Sequence, residues 1–186
     1  MQPKDGFVAA NGLRLHYVDW GGDAHPPLLL LHGFGNQAHM WDTFAPTVAG
    51  RYHVYALDSR GHGDSDHAEE YGDELNAGDT LAVCDALGLK RLSLLGFSMG
   101  GGNAMIVTSR RPDSIERLVI VDRGPEGDRR GHERLARTIG QARSSFPNRE
   151  DALAYIRLAN PKRPEDLVQL SLLHAFREQQ RQLNQI

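Results

Sequence analysis

An α/β fold built on a mostly parallel, doubly wound sheet is what this sequence predicts, and two observations carry the prediction. Short apolar runs alternate with stretches of helical periodicity as far as about residue 122, and such alternation implies parallel strands with helices on both faces. The runs Leu28–Leu31, His53–Leu57, Leu92–Leu95 and Leu118–Val121 lack the regular polar alternation of a half-exposed strand. That pattern suits strands covered on both sides.

The elements follow in order. Phe7–Ala9 and Leu13–Asp19 read as a hairpin around Asn11-Gly12, a pair suited to a tight two-residue turn. Leu13, Leu15 and Tyr17 alternate with Arg14 and His16, which predicts a half-buried strand near a sheet edge. Ala77, Leu81, Cys84 and Leu87 recur at helical spacing and Gly88 follows, a C-terminal stop. Ser98–Arg110 reads as a small-residue helix. Beyond Asp122 the sequence carries no further strand pattern. Leu135, Ile139, Ala142 and Phe146 form one helical stripe, and Asn148 caps a helix running to about Asn160. Pro164 opens another, with Leu167, Leu170, Leu173 and Phe176 on one side. The end, Arg177–Ile186, is polar and glutamine-rich. The organisation predicted is a core over 1–125 and a helical region with a polar tail over 126–186.

Composition narrows the function. The chain has 186 residues, enough for one domain, and 21 basic against 24 acidic side chains, a net charge of −3. Without a basic excess to neutralise phosphates, nucleic acid is disfavoured as a partner. No apolar run is long enough to span a bilayer, and Met1–Asp5 lacks the apolar core of a signal peptide. The single cysteine, Cys84, excludes an intramolecular disulfide and fits a cytoplasmic, reducing setting.

Three motifs carry chemistry. Gly96-Phe97-Ser98-Met99-Gly100 follows an apolar strand and opens a helix, the context in which G-x-S-x-G lifts a serine hydroxyl above a sheet edge. The plainer reading is a phosphate-binding or structural turn. His32-Gly33-Phe34-Gly35 follows Leu28–Leu31, where a glycine-rich turn aims a backbone N–H above the serine. Phe34 and Met99 N–H would then form an oxyanion hole. His32 reads as a loop-holding residue, with a general base as the alternative. Asp58-Ser59-Arg60-Gly61-His62-Gly63-Asp64-Ser65 marks a structured loop. A metal site from His53, His62, His67 and Asp64 matches no zinc spacing.

In this order and after these strands, the motifs resemble the α/β-hydrolase superfamily. They are similar to its cofactor-free serine branch of esterases, lactonases, perhydrolases and C–C bond hydrolases. The resemblance covers about residues 7–125 with specific motifs, and 126–186 as a helical cap. It implies Ser98 as nucleophile, Phe34 and Met99 as oxyanion donors, a small ester-like or carbonyl substrate, and neither cofactor nor metal. Haloalkane dehalogenases and epoxide hydrolases carry an aspartate at the nucleophile position, which Ser98 argues against. The family's chain order is serine, acid, histidine. Downstream of Ser98 only His132 and His174 remain, both in predicted helices. Asp122, after a strand, is the candidate acid, and a residue without catalytic role is the alternative. The resemblance therefore implies a chain lacking the last two strands, short by roughly 80 to 100 residues. An inactive fragment or pseudoenzyme is the rival reading, and a base supplied by another chain is a second. Leu118–Val121 would then form an exposed edge open to self-association. Trp41 and Phe34 are candidates for an acyl-site wall, with core packing as the alternative. The Leu135–Phe146 stripe would select small to medium apolar substrates. The run Asp128–Arg137 reads as a solvated face, with anion binding as the alternative.

Overall fold

The computed structural model describes residues 2–125, 143, 145–159, 161–179 and 182–185. The chain divides into two compact units, 1–125 and 126–186.

In the first unit the strands are β1 (Lys4–Ala10), β2 (Leu13–Asp19), β3 (Pro27–Leu31), β4 (His53–Leu57), β5 (Leu92–Phe97) and β6 (Ile115–Val121). They form one six-stranded sheet in the order β1-β2-β4-β3-β5-β6. β1, β2 and β4 pair antiparallel, and β4, β3, β5 and β6 pair parallel. Asn11 and Gly12 have φ 51 and 78, the left-handed pair that the two-residue hairpin requires.

The helices are α1 (Ala45–Val48), α2 (Asp73–Ala86) and α3 (Met99–Arg110). β3 explains its own lack of alternation. Leu29 and Leu31 pack into a core with Ala77 and Val83 of α2 and Ala104 and Val107 of α3. Leu28 and Leu30 face the opposite cluster with Val18, Trp20 and Trp41. Cys84 is buried in the first of these, and burial pushes its thiol up to about 12, which leaves it unreactive.

β2 lies next to the sheet edge, as expected, and its hairpin partner β1 is outermost. One placement differs from the sequence reading. His16, expected on an open face, is 1% exposed, because Asp58 and Asp5 bond its two ring nitrogens at 2.7 and 3.0 Å. β6 carries the apolar sequence of a covered strand yet stands last in the sheet. Leu118, Val119 and Val121 are exposed there.

The second unit contains α4 (Arg149–Ala159) and α5 (Glu165–Ala175) together with three short strands, β7 (Ser145–Phe146), β8 (Phe176–Gln179) and β9 (Gln182–Gln185). Asn148 Oδ1 accepts the Asp151 N–H at 2.9 Å, the cap expected of it. Pro164 precedes α5 as its N-cap. The strands correct the all-helical reading of this region. They form an antiparallel sheet in the order β7-β9-β8, with Ser145 opposite Asn184 and Phe176 opposite Gln185. The β7–β9 pairing spans a long stretch of chain, and the local β8–β9 pairing runs through a polar segment, so neither leaves an apolar periodic trace. The buried rings of Phe146 and Phe176 meet edge to face at 5.5 Å, an aromatic contact that joins β7 and β8. The stripe residues Leu135, Ile139 and Ala142, the run Asp128–Arg137 and His132 lie outside the described residues.

Candidate active site

The sharpest backbone feature in the first unit is Ser98. Between β5 and α3 it holds φ 50 and ψ −110, a conformation costing about 1–3 kcal/mol that persists only when its surroundings impose it. Those surroundings are identifiable. Ser98 N–H donates to Val121 O of β6 at 2.8 Å, and Ser98 O accepts the N–H groups of Gly101 and Gly102 at 3.0 and 3.2 Å. Gly100 N–H donates to His32 O, just past β3, at 3.0 Å. The turn is thus tied to both strands that flank β5. Gly96 and Gly100 permit this, since a Cβ on either would overlap backbone atoms of Gly100 or Leu31 respectively.

The His32–Gly35 turn backs onto the same point. Asn36 N–H closes it on Gly33 O at 3.1 Å, and Gly35 takes φ 68. A Cβ on Gly33 would stand 3.4 Å from Ser98 Cβ. Among the described residues, neither the Phe34 nor the Met99 N–H has a hydrogen-bond acceptor. Met99 also opens a helix of 12 residues, whose N-terminus carries positive potential. Two free donors beside a strained serine form a local arrangement that favours developing negative charge.

His32 is committed elsewhere. Its Nδ1–H donates to Gly33 O at 2.8 Å and its Nε2 accepts the Ser59 N–H at 3.0 Å. The ring is fully buried, and desolvation lowers its pKa to about 4. It bonds two loops together and has no lone pair left for Ser98, so the general-base reading fails on geometry. A pH dependence follows with a definite sign. The folded pKa lies below the ordinary 6.5, so this contribution to stability is complete above pH 6.5 and is lost as pH falls towards 4. The whole window corresponds to about 3 kcal/mol. Replacing His32 by Gln, which can donate and accept in the same directions, removes the titration. The stability gap between parent and His32→Gln, from urea melts, is expected to narrow by about 2 kcal/mol between pH 7.5 and pH 5; a constant gap refutes this.

The third motif is a brace. The Asp58 carboxylate accepts from Ala38 N at 2.5 Å, Asp64 N at 2.9 Å and His16 Nδ1 at 2.7 Å. Burial of His16 opposes its protonation, but Asp58 and Asp5 outweigh that and hold its pKa above the ordinary value. Arg60 reaches both Asp79 oxygens, at 2.7 and 2.8 Å, and so ties the loop to α2. His16 and Asp79 were missed in the sequence, since neither sits in a motif. His53 opens β4 paired with Asp19 at 2.8 Å, whereas His62, Asp64 and His67 follow that strand's other end. The sequence's candidate metal set is therefore not assembled.

Asp122 directly follows the residue bonded to Ser98 N–H. It is exposed with φ 57, and its carboxylate accepts no hydrogen bond among the described residues. Trp41 is buried in the core cluster that Phe97 also touches, and its Nε1 has no partner among the described residues. His174 lies on α5 of the second unit. Among the described residues of the first unit, no histidine hydrogen-bonds Ser98 Oγ.

A parallel-centred sheet with a strained serine at the strand–helix turn after β5 defines a hydrolase-type fold. Residues 26–182 match the family model described as alpha/beta hydrolase fold, and the chain belongs to that family. It is 38% identical over 119 residues to N-formylmaleamate deformylase of Pseudomonas putida, covering 63% of this chain and 44% of that protein. It is 35% identical over 118 residues to epoxide hydrolase 4 of Mus musculus, covering 62% and 33%. The crystal structure of an alpha/beta hydrolase from Novosphingobium aromaticivorans superposes with a TM-score of 0.85 at 27% identity, covering 98% of this chain and 68% of that one. The chain thus spans less than half the length of these two curated relatives. No helix among the described residues is long and apolar enough to cross a membrane.

Proposed function

We propose that this chain carries the nucleophile and oxyanion hole of a cytoplasmic serine hydrolase acting on a small ester-like or carbonyl substrate. Ser98 Oγ attacks the carbonyl carbon, the hydroxyl proton passes to a histidine, and the oxyanion is held by Phe34 and Met99 N–H. Collapse of the tetrahedral intermediate expels the leaving group and gives an acyl-Ser98 ester, which water hydrolyses. The observation that carries this reading is the φ 50, ψ −110 conformation of Ser98 beside two unpartnered N–H donors. Asp122, at the mouth of β6, is the proposed acid that orients the histidine, and Trp41 a wall of the acyl site. The deformylase relative, named for release of a formyl group, favours an acyl-transfer chemistry. The epoxide hydrolase relative does not override Ser98, because opening an epoxide in this family uses a carboxylate where this chain has a hydroxyl.

A second reading has its own observation. Among the described residues of the first unit, no imidazole bonds Ser98 Oγ, and a serine without a base is a weak nucleophile. The chain would then be an inactive acyl-binding module. Fluorophosphonate labelling of the 186-residue chain, read by intact mass, separates the two. The hydrolase reading expects a stoichiometric adduct that vanishes in Ser98→Ala. An unlabelled, folded parent selects the inactive reading.

We also infer self-association through the β6 edge, where Leu118, Val119 and Val121 are exposed beside a ladder that is unpaired among the described residues. Val119→Lys is expected to lower the concentration-dependent mass measured by light scattering. An unchanged mass profile would remove the edge as the contact.

A further inference from the structure

We propose that His62 is a positioning residue for the Phe34 N–H, fixing the oxyanion-hole turn from the neighbouring loop. This inference rests on the serine-hydrolase reading for its catalytic meaning. It rests on separate observations for its geometry.

The Phe34 N–H shares its peptide with Gly33 O, which accepts both the Asn36 N–H at 3.1 Å and the His32 Nδ1–H at 2.8 Å. Its tilt therefore depends on what holds the His32 ring on one side and the Phe34 side chain on the other. Phe34 is 49% exposed, so core packing does not immobilise that side chain. Against the Phe34 ring stands the His62 imidazole, edge on, with centroids 5.5 Å apart and planes at 85°. That is a preferred arrangement of aromatic quadrupoles.

His62 is itself fixed. Its Nδ1–H donates to Arg60 O at 3.0 Å, its backbone N–H donates to Ser59 O at 3.0 Å, and its carbonyl accepts the Ser65 N–H at 3.1 Å. On its inner side the imidazole lies 5.1 Å from the buried His32 ring. Rigidity therefore passes from the Asp58-braced loop, through His62, to the one exposed residue whose N–H must be aimed. The orienting contact needs an aromatic ring and no proton transfer.

The test uses the full chain and three forms: parent, His62→Ala and His62→Phe. Backbone ¹⁵N relaxation reads the Phe34 and Gly35 amides. Fluorophosphonate labelling and 4-nitrophenyl acetate turnover read Ser98. In His62→Ala the Phe34 order parameter is expected to fall from about 0.85 to below about 0.6. The kcat is expected to fall roughly tenfold with KM within about twofold, a fraction of the loss on deleting a donor outright. His62→Phe is expected to restore both while melting cooperatively like the parent. A Phe34 amide that stays rigid in His62→Ala overturns the proposal. So does a His62→Phe form as slow as His62→Ala with its turn ordered, which would make His62 a proton carrier instead. If parent Ser98 takes no probe, the hydrolase reading falls. The order parameters still decide whether His62 holds the turn.

Discussion

Asp58→Asn is expected to remove about 3–5 kcal/mol of stability, the range for stripping one partner from a buried ionic pair. A domain of this size holds roughly 5–15 kcal/mol in all. The side chain is nearly isosteric, so the loss isolates charge and hydrogen bonding from packing. The carboxylate accepts three donors, Ala38 N, Asp64 N and His16 Nδ1. An amide offers one oxygen and turns an NH₂ towards donors that then lack an acceptor. Gly63 allows no retreat, because its backbone lies directly against the Asp58 carboxylate. The effect has a pH signature. His16 has a folded pKa above 6.5, so its pairing stabilises fully below pH 6.5 and fades as pH rises through the folded value. The difference in urea midpoint between parent and Asp58→Asn, followed by circular dichroism, is expected to be larger at pH 6 than at pH 9. Equal midpoints at pH 6 would show that the brace contributes nothing.

Asp58 also marks how far the sequence could be read. The motif around it was visible as a structured loop because two glycines, an Asp and a Ser in eight residues predict one. What the carboxylate binds was not visible, since His16 sits 42 positions away on a strand whose alternation pointed it at solvent. The strands β3 to β6 and the helices α2 and α3 were legible because each buries a local pattern, either an apolar run or a helical stripe. The turns that hold Ser98, Phe34 and Met99 were legible because backbone geometry at a tight turn is written in adjacent glycines. β7, β8 and β9 were not. β7 pairs with β9 across some forty residues, β8 and β9 pair locally but in a polar, glutamine-rich segment without an apolar alternation, and Phe146 and Phe176 fit a helical stripe as readily as a strand. The exposed edge at β6 was expected from the family resemblance and not from its own residues, which describe the burial it is suited to and not the neighbours it has.

Gly100→Ala is expected to abolish Ser98 reactivity while its near neighbour Gly102→Ala is tolerated, and the contrast follows from what each new methyl would meet. Three consecutive glycines follow Met99 in the first turn of α3, where helix propensity alone would favour alanine by about 1 kcal/mol at each. At Gly102 the nearest atom to a new Cβ is the Nη2 of Arg123, 3.3 Å away, the end of a flexible side chain that can move aside. At Gly101 it is Arg123 Cβ at 3.0 Å, with Ile120 Cγ2 at 3.2 Å, an intermediate case. At Gly100 it is the Leu31 carbonyl, with His32 O at 2.7 Å. These are backbone atoms of the central strand region and cannot yield. Accommodating the methyl means moving the start of α3 away from β3, which stretches the Gly100 N–H bond to His32 O. The Met99 N–H and Ser98 lie one and two residues upstream on the same rigid turn, so both would leave their positions beside Phe34 together. A displacement near 1 Å is worth about 100-fold in rate for a reaction that depends on alignment. The overpacking itself costs about 3 kcal/mol. Fluorophosphonate labelling rates and urea melts of the two variants measure both quantities. Gly102→Ala should match or slightly exceed the parent in stability and keep its labelling rate. If Gly100→Ala labelled as fast as Gly102→Ala, the close approach of α3 to β3 would not be what holds the serine in place.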